Sequence, residues 1–311
     1  MAWPEQQPST LVLRYMELLK NPPIELPRTG ASFPRSPQPQ HVRLSVTPTG
    51  NSDTSEQSWD WQGAWKSEIR HLTFHLFATH RHDGWKWNLE QLAKRWKLFN
   101  GTTIVAIAID NKTHSADYVR DYLQSIELNF DHILVLPNDP IRREVATWLP
   151  MLRLLNPETA GENEVVFACH AKGVRHDDMS ETLTRWTQCM YESCLDFWPL
   201  VEAQLSSKIA TGSFKRYGTF NTPGNNRWHY SGTFFWWRLS ELGKRNWQKV
   251  DQQFFGTESW LGHQCVPEET GVLFCDFTDD LYYLDYWERE VCPNWLKWKL
   301  AAEQSRVAII S

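Results

Sequence analysis

TTIVAIAID, residues 102–110, decides the fold. Val, Ile, Ala and Thr run without a charge as far as Asp110. A half-exposed strand would alternate apolar and polar residues; an unbroken apolar run is what a strand buried on both faces of a parallel sheet requires. On its N-terminal side, HLTFHLFATH (71–80) reads as a strand. WKWNLEQLAKRW (85–96) follows as a helix, with Trp85, Leu89, Leu92, Ala93 and Trp96 on one face. On its C-terminal side, SADYVRDYLQSI (115–126) is a helix with Ser115 as N-cap. DHILVLPN (131–138) is a third strand, REVATWLPMLRLL (143–155) a helix kinked at Pro150, and EVVFACHA (164–171) a fourth strand. Strands alternating with helices imply right-handed βαβ units, hence an α/β fold whose mainly parallel sheet is flanked by helices.

The second half is less regular. Glu181–Leu205 reads as helical with a break at Pro199. KIATGSFKRYG (208–218) and WHYSGTFFWWRL (228–239) read as strands around the turn-rich NTPGNN (221–226). TESWLGHQC (257–265) is a short helix with Thr257 as N-cap, and residues 283–302 are helical on either side of Pro293. Residues 1–66 differ from all of this. Nine of the 17 prolines fall there, and beyond a short helical pattern at Leu11–Lys20 the segment is too poor in apolar residues to offset its ordering entropy. The expected organisation is a flexible Pro-rich tail over 1–66 and one domain over 67–311.

The net charge is −5, with acidic and basic residues interspersed; without a basic stripe, nucleic acid is not an expected partner. None of the six cysteines forms a C-x-x-C pair, which argues against a structural zinc. MAWPEQQPST lacks the basic start and long apolar run of a signal peptide, and LVLRYMELL (11–19) is too short to span a bilayer. A cytoplasmic protein with reduced thiols and no membrane span is the expectation. Of 18 tryptophans, ten lie after residue 180. Core packing accounts for most, and a sugar could stack on the remainder.

In an open parallel sheet, ligands bind beyond the carboxyl ends of the strands. That rule selects His80–Gly84, Asp110–Asn111, Pro137–Asp139 and His170–Gly173. His80 and Arg81 precede a helix N-terminus, a place for phosphate, although a solvated turn has the same composition. Neither G-x-G-x-x-G nor G-x-x-x-x-G-K-[ST] occurs. In HAKGVRHDD (170–178), His170 and Lys172 share a face of the strand end, and Lys172 is a point cation for phosphate. His170, His176, Asp177 and Asp178 offer a second reading, the divalent-metal site of a hydrolase, at a spacing that matches no established ligand set. His229 stands in an apolar run, where a core role competes with a catalytic one. Glu258, in the first turn of its helix, is ordinarily a dipole or capping residue unless that end faces the rim.

FACHAKGV (167–174), WTQCMY (186–191), WHYSGTFFWWR (228–238) and TESWLG (257–262), in that order, resemble motifs of a group of GT-A-like glycosyltransferases. The resemblance spans roughly residues 70–290. It implies a Rossmann-like GT-A fold and the transfer of a sugar, as in hexosyltransferases, from a nucleotide-diphosphosugar donor to a hydroxyl of a carbohydrate or other acceptor. His170–Ala171–Lys172 stands where such enzymes carry the metal-holding D-x-D. The expectation is therefore a metal-independent reaction, with Lys172 and His170 supplying the charge and manganese or magnesium as the alternative cofactor. Glu258 matches the catalytic base. His80, Arg81, Asp110, His170 and Lys172 would hold the donor, Asp110 at its base or ribose. His229, Ser231, Trp236, Trp237 and Trp260 would contact sugar or acceptor. A catalytically silent carbohydrate- or nucleotide-binding module of the same fold is the alternative.

Overall fold

A computed structural model describes residues 65–217, 228–275 and 281–310, with side chains as far as residue 304. The Pro-rich stretch, its Leu11–Lys20 segment and NTPGNN lie outside the described residues.

Strands β1 (Ile69–Leu76), β2 (Thr103–Ile109), β3 (His132–Pro137) and β4 (Glu164–His170) are mutually parallel, and residues Thr103–Ala108 of β2 are all buried. Helices α1 (Gly84–Ala93), α2 (Ala116–Ser125) and α3 (Val145–Leu155) make the crossovers. Ser115 caps α2, its hydroxyl accepting from the Tyr118 amide at 3.2 Å. Helix α3 runs unbroken through Pro150. The sheet has six strands in the order β3-β2-β1-β4-β8-β5, with β8 (Phe235–Arg238) antiparallel to both β4 and β5 (Ala210–Gly212).

Strand β1 stops four residues short of the end its composition suggested; residues 77–83 instead fold across the sheet's carboxyl edge, and Thr79 bridges to Thr113. The register sets His75 beside His170 at that edge. The helical stretch after residue 180 is α4 (Glu181–Tyr191), a π-turn (Glu192–Asp196) and α5 (Trp198–Ser207). Pro199 lies in the first turn of α5, where its missing N–H is not required.

The two later strand segments each divide. β5 and β8 belong to the main sheet, while β6 (Lys215–Tyr217) and β7 (Trp228–Tyr230) form a separate ribbon. Positive φ at Phe214 (55°), Gly232 (102°) and Thr233 (56°) marks the bend between them. Helix α6 (Leu239–Gly243) follows β8, and α7 (Gly256–Gln264) begins one residue before Thr257. Thr257 is thus not the N-cap; its hydroxyl donates to Glu144 Oε2 at 3.1 Å. A π-turn (Trp287–Val291) leads into α8 (Cys292–Ile310), with Pro293 in its first turn.

Side chains alternate across β8, so Trp236 packs with Phe99 and Phe167 on one face of the sheet while Trp237 packs with Trp148 and Trp260 on the other. Trp236, Trp237 and Trp260 are 0, 1 and 0 % exposed and therefore offer no face to a ligand, which corrects their reading as stacking residues. Among the described residues, no helix is long and apolar enough to cross a membrane. Among the described residues the six cysteines form no disulfide.

Candidate functional site

A cleft of about 260 Å³ opens beyond the carboxyl ends of β1 and β4. Its floor comes from His75, His170 and the loop that follows β4, its far wall from the β6–β7 ribbon, the bend after β7 and the first turn of α7. This convergence follows from topology: the bend returns the chain beside β4, and α7 is packed against β7.

Of the residues selected from sequence, His170, Lys172, His229, Ser231 and Glu258 line this cleft. His80, Arg81 and Asp110 do not. His80 is exposed and packs edge-on against His114 with ring centroids 4.5 Å apart. Arg81 reaches the Arg175 carbonyl at 3.2 Å and Asp177 at 3.0 Å, fastening the β1 loop to the β4 loop. At the N-terminus of α1, the Gly84 amide donates to His82 Nδ1 at 3.0 Å. Asp110 accepts from Asn138 Nδ2 at 2.6 Å and from the Lys112 amide at 2.7 Å.

Gly232 is the hinge of the geometry. The Glu258 carboxylate accepts its amide at 2.6 Å, and a Cβ placed there would stand 3.6 Å from Lys172 Nζ. Lys172 lies over the Trp186 ring, 4.0 Å from its centroid, so the ammonium is held by a cation–π contact. Trp186, read from sequence only as part of a helix motif, is thus the tryptophan that meets the cleft. His229 is buried and its Nδ1 has no hydrogen-bond partner; burial lowers its pKa, and the nearby Glu258 charge opposes that shift.

The floor holds an ionic group. His170 Nδ1 is 3.3 Å from Glu144 Oε2, an ion-pair distance without hydrogen-bond alignment. Burial by itself would raise the Glu144 carboxyl, but the His170 charge, with His75 and Arg175 beyond it, outweighs burial and holds it well below the usual carboxylate range. Burial pushes His75 down to about 4. Its Nδ1 meets the Thr147 hydroxyl at 2.8 Å, and that hydroxyl donates to the Glu144 carbonyl. The hydroxyl proton is therefore spent, and His75 Nδ1 carries the ring proton of a neutral imidazole.

Among the described residues, Lys172, Arg143 and Arg175 line the cleft with two carboxylates, Glu144 and Glu258. This balance favours an anionic ligand. Glu144 and Glu258 sit on separate elements and accept hydrogen bonds from the Thr257 hydroxyl and the Gly232 amide. Among the described residues no three His, Cys, Asp or Glu side chains are grouped as metal ligands. His176, Asp177 and Asp178 are exposed, while His170 points to Glu144, so the hydrolase quartet does not assemble.

Sequence reasoning missed Arg143, Glu144 and Arg175. Arg175 lay inside the quoted HAKGVRHDD and was readable as a rim cation; Arg143 and Glu144 head a helix and were absorbed into its periodicity. Compared with models of known protein families and with curated proteins, the chain finds no match. The fold and cleft therefore define the class directly: an α/β protein with a mainly parallel six-stranded sheet, compatible with a Rossmann-like arrangement, and a cationic cleft at the sheet's carboxyl edge.

Proposed function

We propose that the chain is a glycosyltransferase that moves a sugar from a nucleotide-diphosphosugar to an acceptor hydroxyl without a metal. The observation that carries this reading is that Lys172 and Glu258 both approach Gly232, in one cleft whose described residues also include Arg143 and Arg175. Transfer of a glycosyl group needs two things at once: charge stabilisation for a departing diphosphate and a base for the incoming hydroxyl.

In this reading the acceptor oxygen forms a bond to the anomeric carbon while the bond from that carbon to the diphosphate oxygen breaks. The electron pair leaves with the diphosphate, whose growing charge Lys172 offsets. The acceptor's proton passes to the Glu258 carboxylate. His229 and Ser231 border the space between these groups and would contact the sugar.

The test is a panel of uridine, guanosine, thymidine and adenosine diphosphosugars, offered in excess EDTA, with melting temperature and released nucleoside diphosphate as readouts. Binding to the native state raises the melting temperature by mass action. One donor should stabilise the protein and be turned over. A panel that leaves melting unchanged and releases no nucleotide removes the proposal, and selective stabilisation without release supports the silent binding module instead.

A further inference from the structure

Two half-buried arginines line the cleft. Arg143 Nε and Arg175 Nη2 are shielded from solvent and have no hydrogen-bond partner. Among the described residues, neither guanidinium forms an ion pair with a carboxylate. Each lies against an aromatic face instead: Arg143 Cζ is 3.4 Å from the Phe254 ring centroid, and Arg175 Cζ is 5.7 Å from that of Phe77. Burial lowers the pKa of both, Arg175 to about 10, and the Arg143 charge adds to the burial of Arg175. Arg143 also holds φ at 55°, a conformation that non-glycine residues avoid.

Buried N–H groups of a cation that lack acceptors are costly, and native structures compensate them. Two such groups, mutually repelling and facing one cleft, call for an acceptor that arrives from outside. It must bring several oxygens and more than one negative charge, because Lys172 lines the same space. A carboxylate brings a single charge. A diphosphate brings oxygens suited to planar guanidinium forks and enough charge for three cations.

We infer that Arg143 and Arg175 form a clamp for a diphosphate, taking the part that sequence reasoning gave to His80 and Arg81. The link to a sugar donor rests on the transferase reading; the anion site itself does not.

Isothermal titration of the EDTA-treated full chain with inorganic pyrophosphate, orthophosphate and acetate tests it. Pyrophosphate should bind more tightly than the other two. Arg143→Gln and Arg175→Gln should each weaken it by about 10- to 100-fold, the usual loss of a hydrogen bond to a charged group, and Arg120→Gln, paired with Asp117 on α2 and absent from the cleft lining, should leave it unchanged. If a glutamine variant does not fold, hydrogen exchange of the wild-type protein decides. Pyrophosphate should then slow exchange in the peptides carrying Arg143 and Arg175. Absence of pyrophosphate binding, full affinity in the folded variants, or protection confined to other peptides overturns the clamp. The two readings fail separately. Clamp-dependent pyrophosphate binding with no donor turned over leaves the clamp and removes transfer. A donor used by both variants with unchanged KM does the reverse.

Discussion

The Glu258 carboxylate accepts the Gly232 amide at 2.6 Å, which ties the first turn of α7 to the bend between β7 and β8. The contact fixes the carboxylate on the side of the cleft where Lys172 approaches the same glycine. Glu258→Gln separates charge from fit, because a carboxamide oxygen can still accept that amide while the side chain can no longer act as a base. Donor turnover should fall by about 10²- to 10⁴-fold, with donor affinity and melting temperature nearly unchanged. Turnover equal to wild type would take the base role away from this residue.

Gly232 itself is constrained twice. Its φ is 102°, and a Cβ would stand 2.8 Å from Met190 Sδ. Met190 has flexible torsions and can yield, but the backbone strain remains. Gly232→Ala should therefore lose about 1–3 kcal/mol in urea unfolding, with turnover lowered as the bend shifts. An alanine variant as stable as the parent protein would mean that the chain does not take this left-handed path.

Buried His75 and its neighbour Glu144 predict acid sensitivity of known sign. His75 titrates near 6.5 in the unfolded chain and near 4 when folded. Between those values the unfolded state binds a proton that the folded state refuses, so stability falls as pH drops through the window, by about 3 kcal/mol at most. Glu144 acts in the same direction at more acid pH: its carboxyl is depressed by the His170 charge, so its contribution is present above the ordinary carboxylate value and is lost below it. Denaturant melts of His75→Gln at about pH 7, 5.5 and 4.5 should show a shallower loss than wild type. Parallel curves would show that another group carries the acid sensitivity.

The parallel sheet was legible because burial on both faces leaves a one-dimensional trace, the unbroken apolar run of β2. The rule that ligands gather at carboxyl ends then found His170 and Lys172, since His170 ends β4 and Lys172 stands two residues beyond it. It erred with His80, Arg81 and Asp110, because the rule names a loop without saying where its side chains turn. Arg81 is spent on Asp177 and the Arg175 carbonyl, and Asp110 on Asn138. Arg143 and Glu144 were illegible for a different reason. Their importance lies in contacts with residues 254 and 170, at separations that no local pattern encodes.

Tryptophans show the same limit and give the last prediction. The sequence reading selects Trp236, Trp237 and Trp260 as ligand contacts and not Trp186; in the fold, Trp186 is the one of these four that lines the cleft, where it carries Lys172. Trp236→Ala or Trp260→Ala should cost about 3–5 kcal/mol through the cavity left in the core. Any loss of function should then track the loss of folded protein. Tyr282, which is 48 % exposed at the cleft edge and packs edge-on against Trp186, should behave oppositely. Tyr282→Ala should change stability by less than about 1 kcal/mol while weakening ligand binding in the cleft. Urea unfolding beside a titration with pyrophosphate or the donor found in the screen separates the two outcomes. A Trp260→Ala protein that stays fully folded but binds no ligand would return the buried tryptophans to the site.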